Sequence, residues 1–246
     1  AKGHDTDIGT WSFDARYITY GKWQHIVVVY NDDDDGNNPI IYLNGESKTV
    51  VETAEPDGNE QSDASHALTI GNRSGATDRT FSGCITEVSM WSKSLGPTEV
   101  AELYNDGLAL DATTHSSAQL KGYWRNNATW QDLTANDRDG TPTSVTETML
   151  ITAGADGSRD SQGFLMNSPR LTNSLNFPTV LGGNDNKEYA VIPTGSGTAP
   201  GDNLHFVGRP FSFTCWVKTH YVTGAAQIIF DRGDGTDGYL LKVSGT

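Results

Sequence analysis

The chain alternates between short apolar segments and polar turns along most of its length. Residues 23–30 carry apolar, mostly β-branched side chains at both even and odd positions, which is typical of a strand covered on both faces. Residues 40–43 form a second such segment, and the Asn44-Gly45 dipeptide that follows favours a two-residue hairpin turn. The pattern therefore predicts a hairpin whose return strand covers residues 47–51.

One short helix is predicted among many strands. Pro97 suits a first helical position, Val100 and Leu103 form an apolar stripe, and Gly107 is suited to end the helix. Further strands are predicted at residues 67–70, 81–91, 120–125, 174–177, 189–193, 211–218, 227–230 and 239–243. Short strands at regular spacing with almost no helix predict an all-β fold, an antiparallel β-sandwich with one short helix near residues 97–105.

Composition narrows the classes of partner. The 246 residues include 17 Lys and Arg against 31 Asp and Glu, a net charge of −14 at pH 7. We therefore expect no nucleic-acid partner, and an acidic surface of this kind attracts cations such as Ca²⁺. No apolar run approaches the roughly 20 residues that a membrane span needs, so no membrane insertion is expected. Two cysteines, Cys84 and Cys215, are too few for a disulfide scaffold, and both fall in predicted strands, where a free Cys is usually buried.

Residues 21–30, followed by residues 41–45, resemble the central strand and hairpin of laminin G-like and pentraxin-like domains. Residues 68–71, 81–83, 88–91 and the helix at 97–104 follow in the order of that family. The resemblance implies a concanavalin A-like jelly roll. Residues 174–243 resemble the opening strands of the same kind of domain.

This order of segments is unusual for the family. It implies the C-terminal part of one laminin G-like jelly roll in residues 1–140, a linker at 141–172, and the N-terminal part of a second jelly roll in 173–246. Half a jelly roll leaves an apolar sheet face and strand edges uncovered. Three arrangements are open: a piece of a longer tandem protein, which we favour, a circular permutant whose halves complete each other, or subunits that exchange halves.

The resemblance also implies a calcium site, because pentraxin-like and laminin G-like domains often hold Ca²⁺ at one rim. The equivalent loops here are 231–238 and 72–78, and glycines in the first let carbonyls turn toward a cation. The five candidate ligands are Asp231, Asp234, Asp237, Asn72 and Asp78. The second loop lacks the cluster of acids found in pentraxins, so a solvated acidic turn is the competing interpretation.

Catalysis is not expected. The same jelly roll includes glycosidases, whose chemistry needs two carboxylates on one strand facing a cleft. The strand pattern at 81–91 alternates, which predicts Val88 and Met90 on one face and Ile85, Glu87 and Trp91 on the other, with Glu87 as its one carboxylate. Six aromatic residues are candidates for stacking on sugar rings if they are exposed: Trp11, Trp91, Trp124, Trp130, Tyr17 and Tyr221.

Residues 122–126, 130–134 and 157–164 are similar to connectors in marine bacteriophage structural proteins that carry laminin G-like domains. This resemblance implies a non-enzymatic virion structural protein, part of a fibre or capsid decoration, on the virion surface or otherwise extracellular. Its expected partners are copies of itself, neighbouring virion proteins or cell-surface glycans. A secreted bacterial adhesin or matrix-like protein, and the accessory binding region of a glycoside hydrolase, are the alternatives.

Overall fold

Fifteen strands and one α-helix account for most of the regular structure in the computed structural model, which describes residues 6–34, 36–59, 62–63, 65–73, 79–125, 130–143, 150–152, 173–177, 189–193, 204–206, 208–220, 226–233 and 238–244. The strands in the first half are β1 (Thr10–Ser12), β2 (Trp23–Tyr30), β3 (Ile40–Leu43), β4 (Glu46–Lys48), β5 (Val51–Ala54), β6 (Leu68–Ile70) and β7 (Gly83–Trp91). Helix α1 (Pro97–Tyr104) follows. The later strands are β8 (Leu120–Trp124), β9 (Thr141–Thr143), β10 (Leu150–Thr152), β11 (Asn173–Phe177), β12 (Tyr189–Ile192), β13 (Phe211–Thr219), β14 (Gln227–Arg232) and β15 (Tyr239–Val243).

The strands form three antiparallel sheets. The large sheet has eight strands in the order β10-β11-β7-β13-β2-β3-β4, with β8 paired to β7 beside β11. The small sheet has five strands in the order β15-β14-β6-β12-β9, and β1 and β5 form a separate two-stranded ribbon. This arrangement confirms the all-β sandwich that the alternating pattern predicted, and the hairpin between β3 and β4 turns at Asn44 and Gly45, both with positive φ.

Strands from the two ends of the chain interleave within each sheet. In the large sheet β13 lies between β2 and β7, with Phe213 opposite both Val28 and Met90. In the small sheet β14 pairs with β6. Every residue of β13 is buried, as expected for a central strand that is covered on both faces. Residues 1–140 and 173–246 therefore build the same two sheets, and the segment expected to be a linker contributes β9 and β10.

The main core fills the space between the large and small sheets. Its buried residues include Ile26, Ile70, Phe213 and Phe230, and Ile229 joins them because an irregularity interrupts the alternation in β14. A second apolar cluster covers the outer face of the large sheet, where Val100 and Leu103 of α1 pack near Val27, Trp91 and Tyr123. Both faces of the large sheet are therefore shielded from water, which explains the continuous apolar pattern of β2.

Helix α1 begins and ends in ways that only partly match the sequence prediction. The Glu99 carboxylate accepts a hydrogen bond from the Gly96 amide at 2.9 Å and so caps the first turn. The helix ends at Asn105 in the left-handed conformation, two residues before the Gly107 that we expected to end it. Within the described part of the chain, no helix has the length and apolar character needed to cross a membrane.

A bulge in β7 changes which side chains face the core. Glu87 has a φ of 51°, and the register between β7 and β13 shifts between Thr214 and Trp216. Ile85, Val88 and Met90 consequently share the inter-sheet core. The prediction that Ile85 shares a face with Glu87 was therefore wrong, because strict alternation cannot anticipate an extra residue. Cys84 and Cys215 are free and buried, as expected.

Candidate binding site

Two of the five candidate calcium ligands lie close together at one rim of the sandwich. Asp231 on β14 pairs with Thr69 on β6, and Asn72 follows that strand. Arg73 connects them, because its side-chain Nε donates to Asp231 Oδ2 at 2.8 Å and its backbone amide donates to Asn72 Oδ1 at 2.8 Å. Burial raises the pKa of the Asp231 carboxyl, and Arg73 opposes that shift. A cation at this rim would have to compete with the Arg73 guanidinium for Asp231.

The other three candidate ligands, Asp78, Asp234 and Asp237, lie outside the described residues. Within the described residues, no three His, Cys, Asp or Glu side chains come together in a group able to hold a metal ion. The calcium site therefore stays a prediction.

A buried ionic network anchors the loops beneath this rim. Asp63 is fully buried, and its carboxylate contacts His205 Nδ1 on one side and Arg232 Nε, at 3.3 Å, on the other. The same Arg232 nitrogen donates to the Asp63 backbone carbonyl at 3.3 Å. Asp63 and Arg232 are both fully buried, so this ion pair holds two charged groups that water does not reach. This network holds residues 62–63 against β14 and gives the rim a rigid base.

Glu87, the one carboxylate on β7, is enclosed by its neighbours. Tyr123 donates its hydroxyl to Glu87 Oε2, and Arg125 Nε donates to Glu87 Oε1 at 3.0 Å. Arg125 also donates through Nη1 to Asp111 Oδ2 at 2.8 Å. Burial raises the pKa of Glu87 to about 7 although both hydrogen bonds oppose the shift. Because both carboxylate oxygens are occupied and Glu87 is only 4% exposed, the cluster links β7 to β8 and presents no open carboxylate.

The aromatic candidates separate into core and surface residues. Trp91, Trp124 and Trp130 are buried, which leaves no ring face for a ligand. Tyr17 is 43% exposed and Tyr20, which was not among the candidates, is 51% exposed. Tyr221 lies outside the described residues, and Trp11 is partly buried and donates its indole N–H to Asn38.

Three aromatic residues between β1 and β2 make up what we call the aromatic patch: Phe13 and Tyr17, whose rings stack, and Tyr20, which together with Phe13 lines a neighbouring cavity. Phe13 and Tyr17 stack with ring centroids 6.5 Å apart and planes 15° from parallel. The Lys48 ammonium lies 5.3 Å from the centroid of the Tyr17 ring. The patch thus combines exposed ring surface with a nearby cation.

The aromatic patch borders a cavity of about 320 Å³ between β1 and β15, which we call the groove. Its floor is apolar and comes from both sheets, with Ile26 and Ile41 on one side and Ile229 on the other. Its two walls are residues 10–13 and 240–244, and Ala15, Ile18 and Tyr20 complete the lining. The volume lies within the range of about 300–1,000 Å³ that is typical of ligand sites.

Comparison with known proteins shows what the first part of the chain is similar to. A laminin G family model, described as the concanavalin A-like lectin/glucanases superfamily, matches residues 2–101. Residues 2–101 are therefore similar to that superfamily. The laminin G-like segment contains β1 to β7 and the first part of α1, and it supplies one wall of the groove and the whole aromatic patch. No curated protein and no solved structure was found to match the chain.

Sequence reasoning missed several residues of the groove, part of which lies in the laminin G-like segment. Thr10-Trp11-Ser12-Phe13 alternates polar and aromatic residues, which is a signal for a short strand at a sheet edge that could have been recognised. Tyr20 and Lys242 carried no such signal. Their place in the groove depends on β15 lying near β1, and those strands are separated by more than 200 residues of sequence.

Proposed function

We propose that this protein is a non-enzymatic virion structural protein, part of a fibre or capsid decoration, that binds cell-surface glycans through its laminin G-like fold. The observation that carries the proposal is the aromatic patch, where Tyr17 and Tyr20 are 43% and 51% exposed beside the groove. The match to a superfamily that includes lectins supports carbohydrate or protein binding. The resemblance of the connector segments to marine bacteriophage proteins supports the virion assignment.

The patch has the chemistry that a sugar ring requires. A tyrosine offers an apolar ring face for the C–H groups of a sugar and a hydroxyl that can form hydrogen bonds with sugar hydroxyls. The patch lies on the segment between β1 and β2, and the packed sandwich beneath it provides a fixed support. Several copies on one particle would raise the overall affinity, since weak individual contacts combine when sites are linked.

The environment of Glu87 supports the non-enzymatic assignment. A general acid in glycoside hydrolysis must reach the scissile oxygen, and a second carboxylate must face it across the substrate. Glu87 is buried, and Tyr123 and Arg125 occupy its two oxygens. The nearby Asp111 is held by the same arginine. In this proposal the protein acts on the virion surface or at another extracellular location. Its partners are other copies of the chain or neighbouring virion proteins.

Glycan binding is tested with an array of immobilised glycans probed by labelled protein, followed by affinity measurements on the glycans that retain it. We expect Tyr20→Ala and Tyr17→Ala to weaken binding about tenfold each, which corresponds to about 1.4 kcal/mol. Ile40→Ala is the matched control, because Ile40 is 46% exposed and its side chain points away from the groove that Ile41 lines. Retention of no glycan, or equal affinities for the tyrosine variants and wild type, would contradict the proposal.

A further inference from the structure

The groove extends from the protein surface to the main core. Its floor residues Ile26, Ile41 and Ile229 are at most 5% exposed, and Ile26 and Ile229 belong to the core between the two sheets. The residues at its mouth are instead exposed: Ser12, Ala15, Tyr20, Lys242 and Ser244. The groove is therefore open to solvent at one end and apolar at the other.

The main core is incompletely covered at this place. Of the five partly buried apolar residues described against that core, four line the groove: Trp11, Ile18, Leu241 and Val243. The fifth, Val28, lines a smaller cavity of about 60 Å³, which shares Trp11, Ile41 and Leu241 with the groove. Apolar surface that stays in contact with water around a concave site favours the binding of an apolar group.

The volume of the groove limits the size of that group. A methylene group takes up about as much room in a liquid as a water molecule does, roughly 30 Å³. The groove, at about 320 Å³, therefore accommodates one alkyl chain of about ten carbon atoms and is too small for a lipid with two long chains.

The mouth selects a head group by its charge. Lys242 is the one charged residue among the described residues that line the groove, and its exposed ammonium can pair with an anion. The hydroxyls of Ser12 and Ser244 can donate further hydrogen bonds to such an anion. The floor, in contrast, offers no partner for the hydroxyls of a sugar, which would lose their hydrogen bonds to water there.

We propose that the groove binds a soluble single-chain amphiphile, an unbranched alkyl carboxylate of about ten carbon atoms. The chain lies on the isoleucine floor, and the carboxylate lies at the mouth beside Lys242. This binding does not depend on glycan binding at the aromatic patch.

The first experiment measures the binding of hexanoate, octanoate, decanoate, dodecanoate and tetradecanoate by calorimetry, each below its micelle concentration. Burial of one methylene group corresponds to a gain of about fourfold in affinity. We expect saturable binding of one molecule per chain, with an affinity that increases by about this factor per methylene up to about ten carbons and then levels off. No saturable binding of decanoate at millimolar concentration, or an affinity that still increases at tetradecanoate, would overturn the proposal.

The second experiment exchanges the charges at the mouth. Lys242→Glu is expected to weaken binding of decanoate about two- to fivefold and to strengthen binding of decyltrimethylammonium by a similar factor, which is the range of an exposed ion pair. Arg209→Glu is the matched control, since Arg209 is exposed and lies outside the groove. An identical response of both variants would contradict the position of the carboxylate. Tyr17→Ala, which tests glycan binding, is expected to leave decanoate binding unchanged.

The third experiment locates the alkyl chain. Bromine quenches tryptophan fluorescence on contact, and Trp11 lines the groove. We expect 10-bromodecanoate to quench part of the fluorescence of wild type, and we expect this part to be absent from Trp11→Phe. Trp23→Phe is the control and is expected to keep it, because Trp23 packs near Trp216 and outside the groove. Quenching that persists in Trp11→Phe would place the chain elsewhere and refute the proposal.

A second copy of the chain is the competing occupant of the groove. Sedimentation velocity of wild type and Ser12→Arg tests this alternative, since Ser12 is exposed at the mouth. We expect the same oligomeric state for both proteins, with and without decanoate. A wild-type dimer that dissociates on addition of decanoate or in Ser12→Arg would assign the groove to a second copy, against the proposal.

Discussion

Glu87 has two unfavourable features at one residue. Its φ of 51° places a non-glycine residue in the left-handed region, and its carboxyl is buried with a pKa of about 7. Hydrogen bonds from Tyr123 and Arg125 compensate for part of the burial. Arg125 keeps an ionic partner in Asp111 even when Glu87 is protonated. The cluster can therefore hold either protonation state of Glu87.

The raised pKa makes stability depend on pH. A glutamate with a pKa near 4.5 in the unfolded chain and about 7 in the folded protein binds more protons when folded between those values. Its contribution is therefore fully present below about pH 4.5, decreases as the pH rises, and is lost above about pH 7. We expect wild type to lose on the order of 2 kcal/mol more stability than Glu87→Gln between pH 5 and pH 8.

Thermal and chemical unfolding at pH 5, 6, 7 and 8 measures this difference. Glu46→Gln is the control, because Glu46 is an exposed residue whose pKa is lowered by Lys48. Parallel pH profiles for wild type and Glu87→Gln would show that Glu87 is charged at all of these pH values in the folded protein.

At the scale of elements, Arg73 pairs with Asp231 at the rim between β6 and β14, where the family resemblance predicts a Ca²⁺ site. Release of Asp231 from its 2.8 Å ion pair is therefore a requirement for calcium binding there. We expect millimolar Ca²⁺ to raise the melting midpoint of Arg73→Gln by more than that of wild type, and to leave Asp231→Asn unchanged. Midpoints that do not respond to Ca²⁺ in any of the three proteins would exclude the rim site, and Mg²⁺ at equal ionic strength controls for general screening.

Elements with strong local signals were predictable from the sequence. The apolar pattern of β2, the Asn44-Gly45 turn and Pro97 at the start of α1 each specify local backbone structure. The end of α1 was less predictable, since Asn105 and not Gly107 adopts the terminating left-handed conformation. Asparagine also adopts that region at some helix ends, so a nearby glycine is an ambiguous signal.

Features that depend on long-range pairing were not predictable. The bulge at Glu87 changes the phase of β7 only because β13 pairs with it from more than 100 residues away. The groove has the same origin, because Trp11 and Lys242 line one cavity only after both sheets have assembled. Periodicity along the chain carries information about one strand and its faces, and it carries none about which strands become neighbours.

At the scale of the whole molecule, the interleaving of the two predicted halves makes each depend on the other. Strand β13 separates β2 from β7, so residues 1–152 alone would expose both edges and a large apolar face. We expect residues 1–152 and 173–246, expressed separately, each to lack a cooperative unfolding transition, and to regain one when they are refolded together.

Circular dichroism and calorimetry of the separate and mixed pieces measure this complementation. The control replaces residues 173–246 with a version carrying Phe213→Asp, which places a charge in the buried centre of β13. A cooperative transition in residues 1–152 alone would show that this segment folds without β13.

The central position of β13 also constrains how the protein is made. During synthesis the ribosome completes β2 and β7 long before Phe213, which is paired with Met90 about 120 residues earlier, leaves the exit tunnel. Until then the gap between β2 and β7 in the large sheet stays unfilled. Apolar surface is meanwhile exposed to chaperones or to incorrect partners. Contacts at such sequence separation also make folding slow. Final closure of the sandwich therefore waits until β13 has left the exit tunnel, and conditions that delay aggregation during that interval should raise the yield of native protein.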